Sequence, residues 1–108
     1  GVRIAYCTDT SPCAGAIELA RDADVLIHEA TYPAGDEKLA HDRGHSTAGD
    51  AARCALEAGA KKLVLTHLSQ KYPRPEIFVT GAREIFPNVV GAYDLMELDV
   101  ERREAGQE

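Results

Sequence analysis

The sequence predicts an α/β fold, and three observations carry the prediction. Short apolar runs, Ile4-Ala5-Tyr6-Cys7, Val25-Leu26-Ile27 and Leu63-Val64-Leu65, are too brief for helices and are bounded by polar residues. That is how strands buried on both faces read. Stretches of helical composition separate these runs, giving the order strand, helix, strand, helix, strand, helix, strand, strand. Each run also ends on residues able to do chemistry: Thr8-Asp9-Thr10, His28-Glu29-Ala30-Thr31 and Thr66-His67. Open α/β sheets gather binding groups beyond the C-terminal ends of their strands, so that sheet edge is the expected site. Helices this short suffice to cover one sheet face, which makes the chain one half of a larger layered fold.

Along the chain, Asp9-Thr10-Ser11-Pro12 reads as a loop able to cap a helix, with Pro near the first turn. The helix follows over residues 14–21 with Ile17 and Ala20 inward, and Asp22-Ala23-Asp24 breaks it before a strand at 25–28. Residues 31–44 are the least periodic part: Pro33-Ala34-Gly35 is a turn, and 36–41 can form a short helix. Thr47 with Asp50 three residues on has the capping-box form, Asp standing for Glu. It opens an Ala-rich helix over 48–58 striped by Ala51, Ala52, Ala55 and Leu56, with Gly59 as its C′ residue. A strand at 63–66 and a loop with two prolines precede a helix over 76–86, with Ile77, Phe78, Ala82 and Ile85 inward. Pro87-Asn88 ends it, and a strand at 89–92 follows. Met96, Leu98 and Val100 then alternate with Glu97, Asp99 and Glu101 as in a half-exposed strand. Residues 1–101 are read as the half-domain and 102–108 as a polar tail.

Apolar residues make up 44% of the 108 and charged residues 28%, which suits one soluble domain or part of one. There is no Trp, no apolar run of membrane length and no signal-peptide pattern, so no membrane role is expected. The net charge of −6 argues against a surface dedicated to nucleic acid, without ruling out a nucleic-acid substrate held by another part of a larger protein. Cys7, Cys13 and Cys54 are odd in number and lack CxxC spacing, and read as small buried hydrophobes in a reducing cytoplasm.

Taken singly, the polar groups are ambiguous. Asp9 suits a turn or helix cap, His67 a strand-end histidine, His28-Glu29 an exposed loop pair, and His45 a polar residue before a helix. His41 has no evident partner and reads as a surface histidine. Lys71, Tyr72 and Arg74 form a basic-aromatic patch that is either a solvated loop or a phosphate-positioning element. Together, imidazole and carboxylate at neighbouring strand ends are ligands zinc accepts. A carboxylate beside another His is also how an imidazole is oriented for acid–base work.

Four motifs then occur in order: TDT at 8–10, IHEAT at 27–31, GHSTA at 44–48 and LTHLS at 65–69. With the closing FPNVVGAYDLMEL, they make nearly the whole chain resemble the C-terminal half of the ribonuclease Z family, tRNA 3′-processing enzymes of the metallo-β-lactamase superfamily. The resemblance implies an αββα sandwich with two zinc ions at the edge of its sheets. It implies that Asp9 bridges the metals, that His67 ligates one, and that Glu29 and His45 form a dyad protonating the leaving 3′-oxygen. His28 matches a motif position without a settled role. Lys71 stands where Arg is usual and loses the bidentate phosphate fork. The family's HxHxDH motif does not occur in these residues, so the remaining ligands are expected from an N-terminal half, and the abrupt start at Gly1 fits an excised piece.

The expectation is the C-terminal half of a zinc-dependent, ribonuclease Z-like phosphodiesterase with an RNA substrate, inactive by itself. It is expected to pair as a homo-oligomer through a bare sheet face exposing residues among Ile4, Val25, Ile27, Leu63 and Leu65. Two alternatives stand beside it. One is another metallo-β-lactamase-fold hydrolase acting on small molecules. The other is a non-catalytic binding or assembly half-domain.

Overall fold

A computed structural model describes residues 2–7, 14–69, 72, 74 and 76–91 of the chain. Among these the order is β1 (Ile4–Cys7), α1 (Ala14–Ala20), β2 (Val25–Glu29), α2 (Glu37–Asp42), α3 (Ala48–Ala58), β3 (Leu63–Thr66), α4 (Glu76–Arg83) and β4 (Val89–Gly91). The strands pair in parallel in the order β1-β2-β3-β4. Consecutive parallel strands laid down in one direction by right-handed crossovers place every connecting helix on the same face. The helix-covered face carries the row Ala5, Leu26, Leu63, Val89 and the row Cys7, His28, Leu65, Gly91, all in register and all buried. Phe78, Val79 and Ala82 of α4 and the Ala-rich face of α3 close over them.

The opposite face carries Tyr6, Ile27, Val64 and Val90 as one register row, with Ile4 beside Val25 in the next. Ile4 and Tyr6 are 58% and 60% exposed, although Val64 at the centre is buried. Leu63 and Leu65, expected on the bare face, lie instead under the helices, fully buried. Strand alternation decides this, because β3 presents Val64 and its two neighbours to opposite sides.

Local chemistry explains the element ends. Thr47 Oγ1 accepts from the Asp50 N–H at 3.0 Å and an Asp50 carboxylate oxygen accepts from the Thr47 N–H at 2.9 Å, completing the capping box. Gly59 closes α3 in the left-handed region at φ 75°. The buried stripe of α3 runs through Ala48, Ala51, Ala52, Ala55 and Ala58, and Leu56, one position off it, is 56% exposed. On α4, Ile77 is likewise exposed, and Phe78, Val79 and Ala82 face inward. The helix stops at Arg83, three residues short of the sequence expectation; Pro87 disfavours helical geometry at Phe86, and a turn onto the Ala82 carbonyl replaces it. Cys7 and Cys54 are buried, as expected of small apolar side chains. Cys13, the alternating segment 95–100 and the tail 102–108 lie outside the described residues. No helix among the described residues is long and apolar enough to cross a membrane.

Candidate active site at the strand ends

Glu29 ends β2 and is fully buried. A buried carboxylate is tolerated only with a full set of hydrogen bonds, and the chain supplies one. Its Oε2 accepts from the Thr31 hydroxyl at 2.9 Å, the Ser46 N–H at 3.1 Å and the Thr31 N–H at 3.4 Å. Its Oε1 lies 3.1 Å from Nδ1 of His45, whose side chain keeps 33% exposure. Since an ionised carboxylate oxygen only accepts, His45 Nδ1 carries the proton of this hydrogen bond. The loop bearing His45 is held on both sides. The His45 N–H donates to the Ala40 carbonyl at the end of α2, and the Ala48 N–H donates to the Tyr32 carbonyl. Tyr32 and Thr47 form an isolated parallel bridge in the same segment.

His28 does not join this pair. It follows Leu26 onto the helix face, 1% exposed, with Nδ1 donating to the Glu29 carbonyl at 2.8 Å. There it lines a cavity of about 300 Å3 with Ile17 of α1 and Asp50, Arg53 and Cys54 of α3. The reading of His28-Glu29 as an exposed loop pair is thereby corrected, because adjacent strand residues point to opposite faces and both are buried. Burial pushes the His28 imidazole below its ordinary value, against the raising effect of the Glu29 carbonyl. The unfolded chain therefore takes up a proton first as pH falls through 6.5, and the stability carried by neutral His28 is lost from there downward. His28→Asn in the full-length protein is expected to flatten the stability profile just below pH 6.5, as followed by thermal melting. An unchanged slope would assign the acid sensitivity elsewhere.

His41, expected at the surface without a partner, pairs through Nε2 with Asp50 at 2.7 Å. The contact joins α2 to the N-terminus of α3 across nine residues, a tertiary link without a local sequence signal. Burial raises the Asp50 carboxyl, but the Thr47 N–H, His41 and Arg53 outweigh it and hold the group below its ordinary value. Asp50 thus stabilises the fold above its unfolded value of 3.8 and ceases to do so as pH falls through its lower folded value. Tyr72 is tied as well: its hydroxyl donates to Asp36 at 2.8 Å, and its ring meets Phe78 edge-on at 5.6 Å. Arg74 is exposed, and Lys71 lies outside the described residues.

His67 follows β3 directly and is exposed, one residue beyond the register partner of Glu29, which is Thr66. Its backbone is left-handed at φ 58°, which costs a residue with a Cβ about 1–2 kcal/mol. Of two variants that both remove the imidazole, His67→Gly is expected to melt higher than His67→Ala by the equivalent of about 1 kcal/mol. Equal melting temperatures would mean that the backbone there relaxes. β1 reaches the same edge at Cys7, in register with His28, and Asp9 lies outside the described residues. Among the described residues no group of three or more His, Cys, Asp or Glu is arranged to hold a metal ion. Sequence reasoning missed Thr31 and Ser46 as partners of Glu29, though both stand inside the quoted motifs.

Comparison with known proteins bears on these features. The family model described as "Beta-lactamase superfamily domain" matches residues 1–68. A protein named ribonuclease Z from Methanothermobacter thermautotrophicus is 49% identical over 100 residues, covering 93% of this chain and 33% of that protein. Another so named, from Nostoc sp., is 50% identical over 108 residues, covering 95% of this chain and 34% of that protein. The chain thus spans about a third of the length of the curated relatives it matches. The metallo-beta-lactamase fold protein YhfI from Bacillus subtilis superposes with a TM-score of 0.71 at 30% identity, over 82% of this chain and 35% of that one. The short form of human tRNase Z superposes with a TM-score of 0.54 at 45% identity, over 58% of this chain and 25% of that one. The chain belongs to the beta-lactamase superfamily, with the metallo-β-lactamase fold.

Proposed function

We propose that this chain forms the C-terminal part of a metal-dependent, ribonuclease Z-like phosphodiesterase that cleaves precursor tRNA at its 3′ side. The observation carrying the proposal is the buried Glu29 carboxylate holding a part-exposed His45 at 3.1 Å. Its context is the identity of close to one half with proteins named ribonuclease Z. A second sheet belonging to the same protein covers the face of Ile4, Tyr6, Ile27 and Val90. Residues 1–101 belong to this layered domain and 102–108 to a polar tail. The location is the cytoplasm.

The donor types suit zinc, since an imidazole at His67 and a carboxylate at Asp9 are ligands it accepts, and both follow parallel strands ending at one edge. Asp9 and His67 would hold part of a metal pair, with further ligands from residues beyond this sequence. The metal pair, when bound, supplies polarisation of the phosphoryl oxygen and a more acidic attacking water. His45 does the work on the other side of the scissile bond. With Nδ1–H fixed on Glu29, the imidazolium presents Nε2–H outward and gives that proton to the leaving 3′-oxygen. Glu29 stabilises the charged ring and sets its direction, excluded from water so that its charge is not screened.

The test uses the full-length protein and a precursor tRNA with a 3′ trailer. Cleavage leaving a 3′-hydroxyl, abolished by a chelator and restored by zinc, is the expected result. Cleavage indifferent to chelation, or hydrolysis of small phosphodiesters with RNA untouched, would refute the RNA-processing reading.

A further inference from the structure

Glu29 is held from two directions, by donors to Oε2 and by His45 at Oε1. Thr31 Oγ1 donates to Oε2 at 2.9 Å and lies 3.5 Å from His45 Nδ1, so it touches both members of the pair. Main-chain N–H groups of Thr31 and Ser46 also donate to Oε2. Thr31 is itself fixed. Its carbonyl accepts from the Ser69 N–H at 3.1 Å, in the loop that follows His67, and the preceding Ala30 N–H donates to the Thr66 carbonyl at 2.8 Å. A β-branched side chain on so constrained a backbone has a restricted χ1, which sets the direction of its hydroxyl.

We infer that Thr31 is a positioning residue of the Glu29–His45 pair, its hydroxyl helping to fix the carboxylate so that Oε1 meets His45 Nδ1. Rotation about the Cγ–Cδ bond moves both carboxylate oxygens, so each donor to Oε2, the Thr31 hydroxyl at 2.9 Å among them, resists the turn that would carry Oε1 away from His45. The imidazole then stays in one orientation and one tautomer, with Nε2 toward substrate. The same residue joins the pair to the His67 loop through its main chain, and no side-chain substitution at Thr31 breaks that connection. The inference rests on the proposed function only for its rate readout.

The full-length protein carries the test, as Thr31→Val, Thr31→Ala and Thr31→Ser. A hydrogen bond to a charged group sets the scale, so kcat for precursor tRNA is expected to fall about tenfold or more in Thr31→Val and Thr31→Ala. KM and metal content stay at wild-type values, and Thr31→Ser restores most of the rate. Independently of cleavage, ring-nitrogen NMR of substrate-free protein at alkaline pH is expected to show His45 protonated on Nδ1 in wild type and Thr31→Ser, and mixed between its two tautomers in the other variants. Thr31→Ala serves if Thr31→Val does not fold. A wild-type protein without activity on RNA would refute the proposed function and leave the tautomer comparison to decide the role of Thr31. Wild-type kcat with an unchanged His45 tautomer in the folded hydroxyl-free variants would overturn the inference, as would a rise in KM alone.

Discussion

Replacing His45 with Ala in the full-length protein is expected to lower kcat on precursor tRNA by about a hundredfold or more, the usual contribution of a positioned general acid. Metal content should not change. His45 Nδ1 is committed to Glu29, and its neighbours anchor a carboxylate rather than a cation. A leaving group more acidic than a ribose 3′-hydroxyl should recover much of the lost rate, because it needs no proton. Metal loss in His45→Ala, seen by elemental analysis, would make His45 a ligand and refute its assignment as the acid. Glu29→Gln is the companion variant. It keeps the shape but removes the charge that orients the ring, and it leaves a buried amide among donors that require an acceptor.

The second large effect concerns the chain by itself. Asp9 and His67, the ligands proposed for this chain, are two, and even an open catalytic zinc site normally takes three from protein. The 108-residue chain alone is therefore expected to be inactive and to bind zinc weakly. It is also expected to associate with itself. Tyr6, Ile27 and Val90 lie in one register row with Val64, and Ile4 stands beside them more than half exposed. Apolar patches beyond a few hundred Å2 are rare on soluble monomers, and a second copy of the same face covers this one at least cost. Sedimentation at micromolar concentration should show dimers or larger species. A stable monomer would mean that this face does not need a partner.

Much of this architecture was legible in the residues because each element speaks locally. Apolar runs of three or four residues cannot be helices, Thr47-x-x-Asp50 announces a helix start, and Gly59 announces a helix end, and these boundaries stand where the sequence put them. What could not be read was side-chain direction within a fully apolar strand. Leu63, Val64 and Leu65 carry no alternation, so nothing in them tells which faces the helices. The same limit hid the division of labour between His28 and Glu29, neighbours in sequence that serve opposite faces. His41–Asp50 was invisible for another reason: it is a tertiary contact between two helices, and Asp50 already had a sufficient local role as a cap. At the candidate site, residue types were readable, while the donors surrounding Glu29 required the three-dimensional arrangement of the 44–48 loop.

One sheet edge of this chain is proposed to carry part of a metal ligand set and, beside it, a separate acid. The most direct measurement is a crystal structure of the full-length protein loaded with zinc and an uncleaved RNA mimic of the 3′ junction. The expected result has Asp9 and His67 on the metals, with His45 Nε2 off the metals and within hydrogen-bond distance of the leaving 3′-oxygen. His45 coordinated to a metal, or Asp9 and His67 directed to separate places with no metal between them, would contradict it.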